Sequence, residues 1–265
     1  MGSEPLTDTW AHGDAYERYV GRWSRHVAPA FLDWLDLGGG LRWVDVGCGT
    51  GALSSAILDL ASPSSVIGVE PSAGFLGTAR ERLGDRMTFH QADAEQLPLA
   101  DGSADVVVSG LVLNFVPDHV RALREAARVA SGGTVAAYVW DYAEGMEFMR
   151  AFWDAAAHVD HAAAELDEAA RFPVATAEGL AAAFAAANIA DVHVAAIEIP
   201  TVFTDFDDLW TPFLGGQGAA PSYVATLDDP TRDAVREAMR KRLAPNADGS
   251  IAMVARAWAA RGSAA

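Results

Sequence analysis

Residues 44–51 read Val-Asp-Val-Gly-Cys-Gly-Thr-Gly, so that three glycines at alternate positions, Gly47, Gly49 and Gly51, follow an acidic residue, Asp45. Glycine is required where backbone takes up positive φ or lies against a ligand, and three in five residues leave almost no side chain in between. With the apolar run Leu41-Arg42-Trp43-Val44 before it, the stretch is a strand entering a ligand-binding turn. Two cofactor classes use such a turn. Gly47, Gly49 and Ala52 fit the dinucleotide fingerprint G-x-G-x-x-[GA], which sets a pyrophosphate on a helix N-terminus. A carboxylate at Asp45 would repel a pyrophosphate, however, and suits a ligand that carries a cationic amino group.

In doubly wound sheets the ligand sits at the carboxyl ends of the strands, so the residue ending each strand is the one to inspect. The second strand ends in Val-Ile-Gly-Val-Glu-Pro-Ser, 19 residues past Gly51 at Glu70. A carboxylate there can accept both hydroxyls of a ribose, as adenosine-containing cofactors of either class require.

The glycine stretch strongly resembles the first motif of class I S-adenosylmethionine (SAM)-dependent methyltransferases. Gln91-Ala92-Asp93-Ala94-Glu95-Gln96-Leu97-Pro98 resembles the family's third motif, and Ser109-Gly110-Leu111-Val112-Leu113-Asn114-Phe115-Val116-Pro117 its fourth. Tyr16 to Ser24 resembles the N-terminal helix that closes over the cofactor in related small-molecule enzymes. The resemblance implies a SAM site formed by Asp45, Gly47, Cys48, Gly49, Gly51, Glu70 and Pro71. It gives Asp93 the adenine amino group, the Ala94 amide the adenine ring, and the Leu111 backbone the methionine amino group. Tyr16 or Arg22 would bind the methionine carboxylate, although a surface ion pair suits Arg22 as well. Asn114 and Phe115 would lie near the transferred methyl, core packing being the other reading of Phe115. Motifs carry the resemblance over about residues 15–140, and topology alone over 190–260. It is nearest the bacterial small-molecule branch that includes the quinone-ring methylases, a methyltransferase type 11 pattern. The later insertions depart from those enzymes, so their substrates are not carried over.

The implied activity is methyl transfer to a small organic acceptor by alignment and desolvation, without a nucleophilic triad. An oxygen or nitrogen acceptor would want a base, for which His12, His26, His119, Asp141 and Tyr142 are candidates. Asn114 and Asp141 supply only part of a metal-ligand set, and no metal is expected. Two alternatives remain: a SAM-binding protein of the same fold with a non-methylating role, in cyclisation or regulation, and an NAD-dependent oxidoreductase.

These residues need a sheet to position them. Strands are expected at Leu41–Val46, Val66–Glu70, Met87–Gln91, Asp105–Ser109 and Thr134–Trp140, with helices at Gly51–Leu60, Ser72–Leu83 and Asp118–Val129, an alternation that implies βαβ units. Helical spacing of apolar residues over Tyr16–Leu35 places one or two helices ahead of them. Further on, helices are expected at Met146–Val159 and Ala177–Asn188 and strands at Val192–Ile199 and Ser250–Trp258. The expected fold is α/β, a Rossmann-like doubly wound sheet of seven strands, mostly parallel with an antiparallel last strand. It reads as a single domain over 1–265: an N-terminal helical cap over 1–37, the SAM-binding core over 38–140, a helical substrate region over 141–190, and the last two strands over 191–265. A helical, lid-like insertion is expected at about 205–245, where specificity would be built.

The formal charge of −17 opposes polyanion binding, which draws on Lys and Arg, so a nucleic-acid substrate is not expected. One cysteine excludes an internal disulfide and a cysteine-based zinc site. No signal-like or membrane-spanning apolar stretch is read, and a cytoplasmic monomer or homodimer is the expectation. Of the eight tryptophans, Trp10, Trp23, Trp140, Trp153 and Trp210 lie in the lead, at the exit of the fifth strand and in the later insertions, where they fit an aromatic substrate pocket or ordinary core equally.

Overall fold

The computed structural model describes residues 21–216 and 218–265. The sheet has seven strands: β1 (Arg42–Val46), β2 (Ser65–Val69), β3 (Thr88–His90), β4 (Val106–Gly110), β5 (Thr134–Trp140), β6 (Ala190–Phe203) and β7 (Ile251–Ser263). Their order is β3-β2-β1-β4-β5-β7-β6. β1 pairs parallel with both β2 and β4, so the order reverses beside β1, where open α/β sheets bind ligands. Asp45 lies opposite Gly68 on one side and Val108 on the other. β7 enters between β5 and β6 and runs antiparallel to β5, as the topology expected from sequence requires.

The expected helix starts at Ser72 and Asp118 shift by one residue because both side chains are caps. Ser72 Oγ accepts from the Phe75 amide and Asp118 Oδ1 from the Arg121 amide, satisfying donors that the first turn leaves free. β6 and β7 are longer than expected. The alanine-rich stretch 255–260 lacks strand propensity, but pairing of 257–263 with β5 supplies its hydrogen bonds. Within 141–190 the helices Glu147–Val159 and Ala177–Ala186 flank a 3₁₀ turn, His161–Leu166, and a single helical turn, Glu168–Arg171.

The described chain falls into two compact units. The larger comprises residues 24–140, 173–197 and 257–265. Its core is aliphatic: Val44, Val69, Val107, Val108 and Val135 on strands meet Leu53, Ile57, Leu76 and Leu123 on helices. The helix Arg22–Leu35 contributes Phe31, whose ring centroid lies 4.6 Å from that of Tyr138 on β5, and Arg261 on β7 donates to the Leu35 carbonyl at its end. The smaller unit comprises residues 21–23, 141–172 and 198–256. Aromatic rings fill it, with Phe152 stacked on Phe213 at 4.4 Å and Trp153, Trp210 and Tyr223 around them. It takes in the insertion between β6 and β7, whose helices are Phe206–Trp210, Ala219–Thr226 and Asp229–Arg240. No helix among the described residues is long and apolar enough to cross a membrane.

Candidate cofactor site at the strand ends

All three glycines of the turn have positive φ: 74° at Gly47, 53° at Gly49 and 88° at Gly51. The Gly47 and Cys48 amides both donate to the Val69 carbonyl, at 2.7 and 3.1 Å, which ties the turn to the end of β2. Gly51 is the N-cap of the helix Ala52–Leu60. The three glycines serve different needs. A Cβ on Gly47 would come within 2.6 Å of both Val112 methyl carbons, and one on Gly51 within 2.6 Å of Leu83 Cδ1. A Cβ on Gly49 would meet nothing nearer than the Gly47 carbonyl oxygen at 3.9 Å. At Gly49 the turn is open, and the space beside it can take a ligand.

Two carboxylates underlie that space. Glu70 Oε2 accepts from the Gly49 amide at 3.1 Å and Oε1 from the Ser72 amide at 3.0 Å. Burial pushes the Glu70 carboxyl above its ordinary range, against those two amides. Each oxygen keeps a lone pair for a further donor such as a ribose hydroxyl. Asp45 is fully buried, and the Ser54 hydroxyl donates to its Oδ2 at 2.6 Å. Burial, opposed by the Ser54 hydroxyl and reinforced by the Glu70 charge, raises Asp45 to about 7. Ser54 escaped notice in the sequence. The signal was a hydroxyl on the helix after the turn, nine residues past the carboxylate. Cys48, buried beside Gly68, is held as the thiol by its burial and by the charges of Asp45 and Glu70, so it is no nucleophile.

The other strand exits carry the remaining expected residues. The Pro71 carbonyl accepts from Gln91 Nε2 at 3.0 Å, joining the ends of β2 and β3. Asp93 is exposed and its Oδ1 accepts from the Glu95 amide, while Ala94 is buried. Glu95 is half-buried and accepts from the Asp118 amide at 3.0 Å. Leu111 follows β4 with φ of 63°, its amide bonded to the Tyr138 carbonyl. A left-handed conformation at a residue with a side chain costs of order 1 kcal/mol and collects at ligand sites. Asn114, in the 3₁₀ turn Leu113–Phe115, is buried, and its two amide atoms have no partner among the described residues. The turn lies against the glycines through Val112 and Gly47. Phe115 is 39 % exposed, which does not make it a core ring. His119 is half-buried at the first position of the helix His119–Val129.

Asp141, Tyr142 and Arg22 belong to the smaller unit. Asp141 is buried, pairs with Arg256 at 2.7 Å and accepts from the Glu144 amide. Tyr142 is buried, with its ring 5.5 Å from that of Phe172. Arg22 pairs with Asp208 at 2.8 Å. Trp23, Trp140, Trp153 and Trp210 are all buried, and His26 is exposed. Tyr16, His12 and Trp10 lie outside the described residues. Among the described residues no group of three His, Cys, Asp or Glu side chains could hold a metal ion.

Comparison with known proteins follows the same segment. Residues 44–137 match the family described as "Methyltransferase domain". An arsenite methyltransferase of Aquipseudomonas alcaligenes is 36% identical over 134 residues, which are 46% of this chain and 36% of that protein. A demethylmenaquinone methyltransferase of Lactiplantibacillus plantarum is 31% identical over 115 residues, 41% of this chain and 48% of that one. The chain thus spans less than half the length of these curated relatives. Among solved structures, the YcgJ protein of Bacillus subtilis has a TM-score of 0.58 at 19% identity, covering 90% of this chain and 97% of its own, which is a likeness of fold. The open glycine turn thus lies within the segment, residues 44–137, that matches a methyltransferase domain.

Proposed function

We propose that this protein transfers the methyl group of SAM to a small organic acceptor, releasing S-adenosylhomocysteine. The observation that carries the reading is the open space at Gly49 beside Glu70, which can accept from a ribose, in a turn preceded by Asp45, a buried carboxylate adverse to a pyrophosphate and favourable to an ammonium. The cofactor supplies a methyl group already activated on a positively charged sulfur. The protein's part is to hold and align. Glu70 accepts from the ribose hydroxyls, Asp93 and the Ala94 amide from and to the adenine, and the Leu111 carbonyl from the methionine amino group. Tyr16 or Arg22 is the proposed partner of the methionine carboxylate.

Asn114 lies near the reacting groups, and His119 is the base where the acceptor needs one. Asp141, which pairs with Arg256, and Tyr142 beside it in the chain are the further candidates. No metal is required, since alignment and exclusion of water suffice for displacement at a sulfonium methyl. The net charge of −17 supports a small acceptor over a nucleic acid.

Incubation with methyl-labelled SAM and a panel of small acceptors tests the reading. Label in a low-mass product, with S-adenosylhomocysteine formed in equal amount, is expected. Acceptor conversion with no S-adenosylhomocysteine would replace methyl transfer by a non-methylating role.

A further inference from the structure

Three consecutive residues of the glycine turn are each held from the segment that follows β2. The Gly49 amide donates to Glu70 Oε2 at 3.1 Å. The Thr50 carbonyl accepts from Arg82 Nη1 at 3.0 Å. Gly51 lies against Leu83, whose Cδ1 would be 2.6 Å from a Cβ placed there. Glu70 directly follows β2, and Arg82 and Leu83 are the last two residues of the helix Ala73–Leu83.

Both ends of that helix are therefore tied to the turn. At its start the Ser72 amide donates to Glu70 Oε1 at 3.0 Å, and the Ser72 hydroxyl caps the helix through the Phe75 amide. At its end Arg82 reaches back across 32 residues of sequence to Thr50. Arg82 is exposed and Thr50 buried, so the guanidinium reaches inward from the surface, in the last helical turn where a cation is favoured.

The turn needs such support. With three glycines at positive φ it has much backbone freedom to lose, and local propensity does not hold it in one shape. Its backbone bonds run from the Gly47 and Cys48 amides to the Val69 carbonyl and from the Gly51 amide to the Cys48 carbonyl. Arg82 adds a charge-assisted bond at Thr50, between the two glycines that Glu70 and Leu83 address.

We propose that Arg82 is a positioning residue for the cofactor: with Glu70 and Leu83 it makes the helix Ala73–Leu83 a brace that holds the glycine turn and the ribose carboxylate in one frame, and it sets affinity for the nucleoside without touching it. The inference rests on the methyltransferase reading only for the identity of the ligand.

Arg82→Met keeps the aliphatic stem and removes every donor, and Arg82→Lys keeps the charge. Both are compared with the wild type by calorimetry with S-adenosylhomocysteine and 5′-methylthioadenosine, and by amide hydrogen exchange of the unliganded protein. 5′-Methylthioadenosine has the same nucleoside and no amino-acid end. Arg82→Met should weaken both ligands by the same factor, about threefold to tenfold, the scale of one net hydrogen bond. The Gly49 and Gly51 amides should exchange about threefold faster or more, while those within β1 and β4 keep the wild-type rate. Arg82→Lys should fall between the wild type and Arg82→Met, and it carries the comparison alone should Arg82→Met not fold. A loss confined to S-adenosylhomocysteine would mean that the guanidinium meets the amino-acid end directly, and would overturn the brace. Unchanged exchange at the turn would overturn it too, as would faster exchange with unchanged affinity for ligands that the wild type binds. A wild type that binds neither nucleoside sinks the methyltransferase reading, and exchange at the turn then decides the brace by itself.

Discussion

The Ser54 hydroxyl donates to Asp45 Oδ2 at 2.6 Å, partnering a carboxylate buried on β1 just ahead of the glycine turn. Hydrogen bonding to Ser54 does not replace the hydration lost on burial, which is why Asp45 is raised to about 7.

A pH dependence follows. The unfolded carboxyl titrates near 3.9, so the folded state binds the proton more tightly. The stability contributed by protonated Asp45 is therefore complete below about pH 4 and is lost as pH rises towards 7, by on the order of 4 kcal/mol at most. Asp45→Asn should flatten that fall, measured as melting temperature against pH in both proteins. Parallel profiles would show that Asp45 is not the group responsible.

Ligand binding carries the opposite sign. A cationic amino group favours ionised Asp45, so affinity for S-adenosylhomocysteine should rise from pH 5 to about 7 with release of a proton, and then level off. Calorimetry in buffers of different ionisation enthalpy reads the proton directly. Asp45→Asn should abolish both the rise and the proton.

The glycines separate folding from binding. Gly47→Ala meets Val112 as well as an unfavourable φ, and should lower stability by about 2 kcal/mol or more, read by denaturant unfolding. Gly49→Ala meets only the φ term, about 1–2 kcal/mol, and should spare the fold while occupying the ligand's space.

Glu70→Ala should weaken S-adenosylhomocysteine by roughly 1–3 kcal/mol, the scale of hydrogen bonds to a charged group. The Gly49 and Ser72 amides would lose their acceptor as well, so a smaller loss of melting temperature accompanies it. Unchanged affinity would remove Glu70 from the site.

Arg256→Ala should destabilise the smaller unit by about 3–5 kcal/mol, because Asp141 would remain buried without its counter-charge. Activity per folded molecule should change far less. A collapse of kcat at full stability would make the pair part of the chemistry.

The turn and the strand exits were legible because they follow local rules. Gly47, Gly49 and Gly51 announce positive φ, Glu70 and Asp93 end hydrophobic runs, and the strand–helix alternation orders the sheet. What stayed hidden depends on partners distant in sequence. Nothing local marks Ser54 as the partner of Asp45, or Asp208 as that of Arg22, 186 residues away. The alanines at 257, 259 and 260 are strand through their pairing with β5. Asp141 is likewise paired with a residue far along the chain, Arg256, 115 residues away. Asn114 was singled out from its motif, but only the folded chain reveals that both its amide atoms are buried, with no partner among the described residues.

The most direct measurement is calorimetric titration of the wild type and Gly49→Val with S-adenosylhomocysteine and with NAD. The wild type should bind S-adenosylhomocysteine and not NAD, and Gly49→Val should lose that binding while unfolding within a few degrees of the wild type. Tight binding of NAD, or undiminished S-adenosylhomocysteine affinity in Gly49→Val, would contradict a SAM site at the glycine turn.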